Sequence, residues 1–538
     1  MMFAKRTLVS GMLLVLLFAS HACGAMSPAT PETLRQGQEP ALVPVISPEQ
    51  KNPPERPAAT RSVDSFAPAA PQAANESRRG DPTPDAMFFK DYGTNPMVDT
   101  RDDHLSTFAL DVDTGSYTIS RNYIRNGSLP PADAVRVEEF VNYFGQGYSY
   151  PSERQAFNIS LDGAPSPFTE TERYQMLRIG IQGYDVPKSE RKDASLTFVI
   201  DVSGSMNREN RLELVKESLA LLVAQLDERD RVSIVVYGSE ARVVLEPTPG
   251  DDRRTIQRAI DRLSPEGATN AEAGLRLGYQ MADEAFNRNG INRVILCSDG
   301  VANVGDTDHE SIWDQVKRYA GKEITLATIG FGMGNYNDVL MEQLADNGNG
   351  FYAYVDDIEE ARRLFVDRLT STLQTIALDA KAQVDFNPDV VARYRLVGYE
   401  NRDIADEDFR DDSVDAGEIG AGHSVTALYE IKLHPDVTGR IATVQLRWQD
   451  PDTRRVTEIS ETLDTRDLAE RFEDADPYFQ WAVIVAEYAE ILRDSYWAGE
   501  SSLDEVLEEA ERVSRYIEET PDPRELVDLI RKTIRLGR

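Results

Sequence analysis

Five oxygen-bearing side chains stand out for the chemistry they could share. Asp201, Ser203 and Ser205 form a D-x-S-x-S run inside the stretch DVSGSM, and alternation along an extended loop turns all three the same way. A hard divalent cation such as Mg²⁺ takes oxygen ligands in near-octahedral geometry and keeps several waters, so two hydroxyls and a carboxylate make half a shell. Thr269, in Gly267-Ala268-Thr269-Asn270, offers a third hydroxyl, and Asp299, in Ser298-Asp299-Gly300, a second carboxylate.

Positioning them requires a particular scaffold. The apolar run at 196–200 reads as a buried strand delivering Asp201, and Leu212, Leu214, Val215, Leu219, Leu222 and Leu226 mark one buried stripe of the helix that follows. Strands are expected at 232–237, 241–245, 293–297, 324–329 and 351–354, and helices at 253–263, 271–286, 312–320, 337–346 and from Ile358. This alternation predicts an α/β domain, a doubly wound Rossmann-like sheet that is mostly parallel, with its ligand site at the carboxyl ends of the strands. A dinucleotide-binding enzyme is disfavoured: no GxGxxG follows the first strand, and the glycines of 330–334 come after a late one.

In this order, DVSGSM, GATN and CSDG resemble the metal-ion-dependent adhesion site (MIDAS) of von Willebrand factor type A (VWA) domains. The resemblance implies that Ser203, Ser205 and Thr269 bind the metal directly and that Asp201 and Asp299 act through water. It implies Mg²⁺, with Mn²⁺ or Ca²⁺ as alternatives, and a protein partner whose acidic side chain completes the shell. Neutral hydroxyl ligands leave the cation electrophilic, which suits such a partner.

Outside this domain, 107–113 reads as a strand and 118–126 and 135–144 as helices. The run Asp111-Val112-Asp113-Thr114-Gly115 would open a phosphatase site of the haloacid-dehalogenase type. The helices and proline-rich turns that follow instead favour a structural Asx-type turn. Period-two patterns at 156–185 have no local partner, and they recur at 381–386, 392–399, 425–433 and 442–448. The type A domain is therefore expected as an insertion into a β-sandwich. TFALDVDTGSYTISRNYIRNGSLPPADAVRVEEFVNYF, VDFNPDVVARYRLVGYENR and DAGEIGAGHSVTALYEI resemble the flanking segments of one bacterial subfamily of such proteins. Helices at 479–493, 502–517 and 524–535 close the chain, with Ser501 and Ser502 as cap candidates for the second. His423 has no nucleophile paired to it by spacing and reads as structural, and Cys297 reads as a core residue.

The chain has 538 residues and a formal charge of −34. That acidity argues against a nucleic-acid partner, since phosphate binding needs a basic surface. Lys5 and Arg6 precede an apolar run at 8–19, the layout of a signal peptide over 1–22. Cys23 lies where a bacterial lipoprotein carries its acyl chain, although cleavage after Ala22 or Ala25 is the alternative. The proline-rich 23–87 reads as a disordered spacer. The expected layout continues with an N-terminal α+β segment at 88–151, strands at 152–192, the type A domain at 193–373, the sandwich at 374–462 and helices at 463–538. The functional expectation is an exported, lipid-anchored cell-envelope protein that binds a protein partner through its metal and is not an enzyme, since HExxH, GxSxG and Cys/His arrangements are missing. A scaffold with a purely structural metal is the first alternative and a metal-dependent hydrolase the second.

Overall fold

The computed structural model describes residues 87–538 except 153–154, 170–172, 301–308, 334–335, 415, 500, 518–519 and 538. The signal peptide, Cys23 and nearly all of the proline-rich spacer lie outside the described residues.

The chain opens with β1 (Val98–Asp99), β2 (Leu105–Ala109), α1 (Gly115–Arg125), α2 (Val137–Tyr143), β3 (Phe157–Pro165) and β4 (Tyr174–Gly183). The α/β domain follows: β5 (Ala194–Asp201), α3 (Arg211–Val223), β6 (Arg231–Tyr237), β7 (Ala241–Pro249), α4 (Arg253–Asp261), α5 (Ala271–Glu284) and β8 (Ile291–Ser298). It continues through α6 (His309–Ala320), β9 (Thr325–Phe331), α7 (Asp338–Asn347), β10 (Tyr352–Val355), α8 (Ile358–Arg362) and α9 (Leu369–Leu373). Its sheet has the order β10-β9-β8-β5-β6-β7, parallel except for the antiparallel edge β7. β5 is central because every one of its residues is buried, as a strand covered by helices on both faces must be. The chain leaves β5 toward β6 on one side and reaches β8 on the other. Asp201 therefore ends β5 at the switch point where open α/β sheets bind ligands.

Helices cover both faces. Leu212, Val215, Leu219 and Leu222 of α3 pack with Ile256 and Ile260 of α4 under one face. Leu275 and Tyr279 of α5 and Leu344 of α7 cover the other, joined by Ile119 and Tyr123 of α1. Gly278 lets α5 lie close to the sheet, since a Cβ there would run into Val199 of β5.

The remaining strands are β11 (Thr375–Phe386), β12 (Val391–Val397), β13 (Gly417–Gly420), β14 (Ser424–Leu433), β15 (Arg440–Gln449) and β16 (Val456–Asp464). They join strands from before the α/β domain: β14 pairs with β4 from Ser424↔Gln182 to Lys432↔Tyr174, and β11 pairs with β2. The two sheets enclose one apolar core containing Phe157, Ile179, Val384, Tyr429 and Trp448, so the α/β domain is inserted into a β-sandwich. Helices α10 (Pro477–Leu492), α11 (Leu503–Val513) and α12 (Pro521–Arg535) complete the chain. They form a further core with α1 and α2, in which Phe144 meets Trp481 edge-on.

Some boundaries differ from the sequence reading for local reasons. Strand β2 stops at Ala109 because Asp111 forms an Asx turn, its Oδ1 accepting the Asp113 N–H at 2.9 Å. Helix α11 starts where expected, with Ser502 and Glu505 forming a capping box. Helix α12 begins at Pro521 rather than after Pro523, since proline in the first turn loses no helical hydrogen bond.

The free edge of β10 is covered by α1 and the turn before it. Asp113 Oδ1 accepts the Tyr352 N–H at 3.0 Å, and the Thr118 hydroxyl donates to the Tyr354 carbonyl at 2.9 Å. Arg402, just beyond β12, ties the parts together by pairing with Asp111 at 3.3 Å, Asp113 at 3.4 Å, Glu342 at 3.1 Å and Asp346 at 3.1 Å. Burial holds the carboxyls of Asp113, Glu342 and Asp346 above their ordinary values, with Arg402 pulling each back down. Raised values in the folded state mean that folding takes up protons, so stability falls as pH rises through and above the usual carboxylate range. Arg402→Met should therefore cost about 4 kcal/mol at neutral pH and steepen that fall. Urea unfolding of wild type and variant at several pH values would show the gap narrowing toward acid.

Candidate functional site

The site lies in the loops beyond the carboxyl end of β5. Asp201 is fully buried there, its Oδ1 accepting the Ser203 N–H at 2.8 Å and its Oδ2 the Ser298 hydroxyl at 3.0 Å. Ser203 and Ser205 bring their hydroxyls to 2.9 Å of each other, and Ser205 Oγ–H donates to Asp299 Oδ1 at 3.1 Å. Four of the five sequence-predicted residues thus meet in one cluster. The loop carrying Thr269 lies against it: the Gly204 N–H donates to the Gly267 carbonyl at 3.2 Å and the Glu266 N–H to the Val202 carbonyl at 2.5 Å. Thr269 itself is half-buried, while Gly204, residues 207–210 and residues 264–268 are exposed, so the cluster opens toward solvent.

Electrostatically the cluster suits a cation. Burial, and then the charge of Asp299, pushes the Asp201 carboxyl up to about 6. Two carboxylates and three hydroxyls are an all-oxygen donor set, which a hard divalent ion prefers. Among the described residues there is no grouping of three or more His, Cys, Asp and Glu side chains able to hold a metal, so an ion bound here would depend on the hydroxyls. The residues present fit Mg²⁺, with Ser203, Ser205, Thr269, Asp201 and Asp299 to hold it.

Two residues of this cluster carry roles that the spacing did not reveal. Ser298 braces Asp201. Arg211, the first residue of α3, donates to Asp299 Oδ2 at 2.7 Å and to the Met333 carbonyl, with both charged side chains almost wholly buried. Gly332, at φ +80°, leaves room for it, since a Cβ there would collide with the Arg211 side chain. A signal was present in the sequence: a cation at a helix N-terminus opposes the helix dipole and calls for an acidic partner. His423 lies elsewhere, in the turn between β13 and β14, and Cys297 is a buried thiol on β8.

The chain is similar to known proteins over most of its length. Residues 195–367 match the family model for the von Willebrand factor type A domain, residues 83–178 a model described as von Willebrand factor, and residues 371–536 the model for the C-terminal part of the uncharacterized protein YfbK. The Escherichia coli (strain K12) protein YfbK is 36% identical over 472 residues, 83% of this chain and 81% of that protein. A Synechocystis protein, sll0103, is 27% identical over 54% of this chain and 69% of its own length. Human inter-alpha-trypsin inhibitor heavy chain H3 is 29% identical over 32% of this chain and 19% of its own. Among solved structures, a von Willebrand factor type A protein from Catenulispora acidiphila covers 69% of this chain and 89% of its own, at 16% identity and TM-score 0.41.

Removing Arg211 would leave Asp299 buried, unpaired and facing Asp201. Arg211→Gln should lose about 3 kcal/mol of stability in chelator, and Mg²⁺ should restore more stability to the variant than it adds to wild type. Chemical denaturation with and without Mg²⁺ measures both.

Proposed function

The chain belongs to the YfbK family of bacterial von Willebrand factor type A proteins, and from that premise we propose that it is a recognition protein that grips an acidic side chain of a protein partner through a divalent cation. The observation that carries the reading is the convergence of Ser203, Ser205 and Asp299 beside buried Asp201 in loops open to solvent. Hydroxyl ligands do not cancel the ion's charge, so a bound Mg²⁺ would keep a strong attraction for a carboxylate arriving from outside.

What the chain's own residues contribute is preorganisation. Ser298 and the Ser203 N–H fix both oxygens of Asp201, and Arg211 fixes Asp299. Loops held in this way offer an ion its ligands without first having to order themselves. No residue is assigned a catalytic role, and the reading is of a binding protein rather than an enzyme.

The location forms part of the proposal. Export through the signal peptide at 1–22, acylation of Cys23 and a stretched spacer at 23–87 would set the folded part at a distance from a membrane of the cell envelope. No helix among the described residues is long and apolar enough to cross a bilayer, so a membrane attachment through Cys23 would act in place of a span.

The test is capture from detergent-solubilised envelope extract on the immobilised full chain, in Mg²⁺ and in chelator, beside a Thr269→Ala variant of confirmed fold. The reading predicts a protein retained by wild type in Mg²⁺, lost in chelator and lost with the variant. The same proteins in every lane would overturn it in favour of a metal that only stabilises the loops.

A further inference from the structure

A small cavity lies away from the metal loops, where the inserted domain meets the sandwich. Thr114, Tyr352, Glu360, Arg363, Arg368 and His423 are among its lining residues, and a water-sized sphere has about 40 Å³ in which to move. That is room for a few waters or one small anion.

Most of the charged groups around it are already engaged. Arg363 donates to Asp522 at 2.6 Å and to the Tyr143 carbonyl. Glu360 accepts from Arg121 at 3.0 Å and from the Tyr143 hydroxyl at 3.0 Å. Nearby Arg293 donates to the Thr372 carbonyl and to Thr325 at 2.9 Å, and Glu418 offsets part of its charge. Arg368 differs. Its half-buried guanidinium has no hydrogen-bond or ion-pair partner among the described residues, although a guanidinium carries five N–H donors. The charge of Arg363, and then burial, draws it down to about 10. His423 also lines the cavity, and its Nδ1 is sealed from water with no hydrogen-bond partner. Burial, and then the charges of Arg368 and Arg293, hold this imidazole down to about 3.

The geometry points to a binding site for one small inorganic oxyanion of the phosphate or sulfate class, held between the Arg368 guanidinium and His423 Nδ1–H, with the Thr114 hydroxyl at its margin. An unpaired cation and an unpaired buried ring nitrogen lining one cavity each lack what such an anion supplies. Thr114 precedes α1, Arg368 lies in the inserted domain and His423 in the sandwich, so the bound anion would join three parts of the fold. This inference is independent of the metal site.

Thermal unfolding of the full chain tests it, using inorganic phosphate against choline chloride at matched ionic strength. Phosphate should raise the midpoint along a saturating curve. Arg368→Met should abolish that rise without lowering the phosphate-free midpoint, because it removes a cation that has no partner. His423→Gln should weaken the phosphate response about tenfold in half-saturating concentration. If the cavity holds only water bridging Arg368 to Glu360, phosphate will have no saturable effect and Arg368→Met will lower the midpoint on its own, and either result overturns the assignment.

Discussion

The pairing of β4 with β14 constrains everything else. One strand precedes the inserted domain and the other follows it, and their ladder runs from Tyr174 to Gln182. The inserted domain is anchored in the sandwich at both ends, since β4 in one sheet leads into it and β11 in the facing sheet leads out of it, and the domain cannot swing on a single tether. Its β10 edge is held as well, by Asp113, Thr118 and the pairing of Arg402 with four carboxylates. The loops at the carboxyl end of β5 are left open to solvent, which is the condition for meeting a partner there without disturbing the rest of the fold.

Charge organises the interior on the same lines. Arginine supplies the buried counter-charges at each junction: Arg121 among Asp356, Glu360 and Glu525, Arg136 with Glu139 and Asp338, and Arg395 and Arg493 sharing Glu490. A planar fork can serve several carboxylates at once, which a lysine could not do as well. Such pairs add little net stability over apolar packing, yet breaking one is costly. They therefore fix how the three parts meet more than they strengthen the whole. Against this background Arg368 is an exception, a cation in the same interior that forms no ion pair with a carboxylate among the described residues, although Glu360 lines the same cavity.

How much of this was legible in the sequence follows from the range of each interaction. The D-x-S-x-S loop was legible because its geometry is local, Asp299 because it follows the end of strand β8, and Thr269 because it lies in the loop just before helix α5, although that loop joins two helices, α4 and α5. The insertion was legible from a deficit that was only half real: the strands at 156–185 do have a local partner, since β3 pairs antiparallel with β4 from Phe157↔Gly183 to Pro165↔Gln175, and it is the other edge of β4 that waits for β14 beyond the inserted domain. The place of Arg211 at a helix N-terminus signalled the need for an acidic partner, but which one was not legible, because Asp299 is 88 residues away and only the folded chain brings them together. The Asx turn at Asp111 was legible, but the partners of its carboxylates on β10 and beyond β12 were not. The start of α12 was misplaced because two prolines read as a break when they occupy the one helical turn that tolerates them.

The central claim is that this cluster of hydroxyls and carboxylates holds a divalent ion. Isothermal titration of Mg²⁺ into the metal-free full chain tests it most directly, with Thr269→Ala as the comparison. The account predicts one saturable site in wild type, lost or at least tenfold weaker in the variant. Identical isotherms, or no saturable heat in wild type, would contradict it.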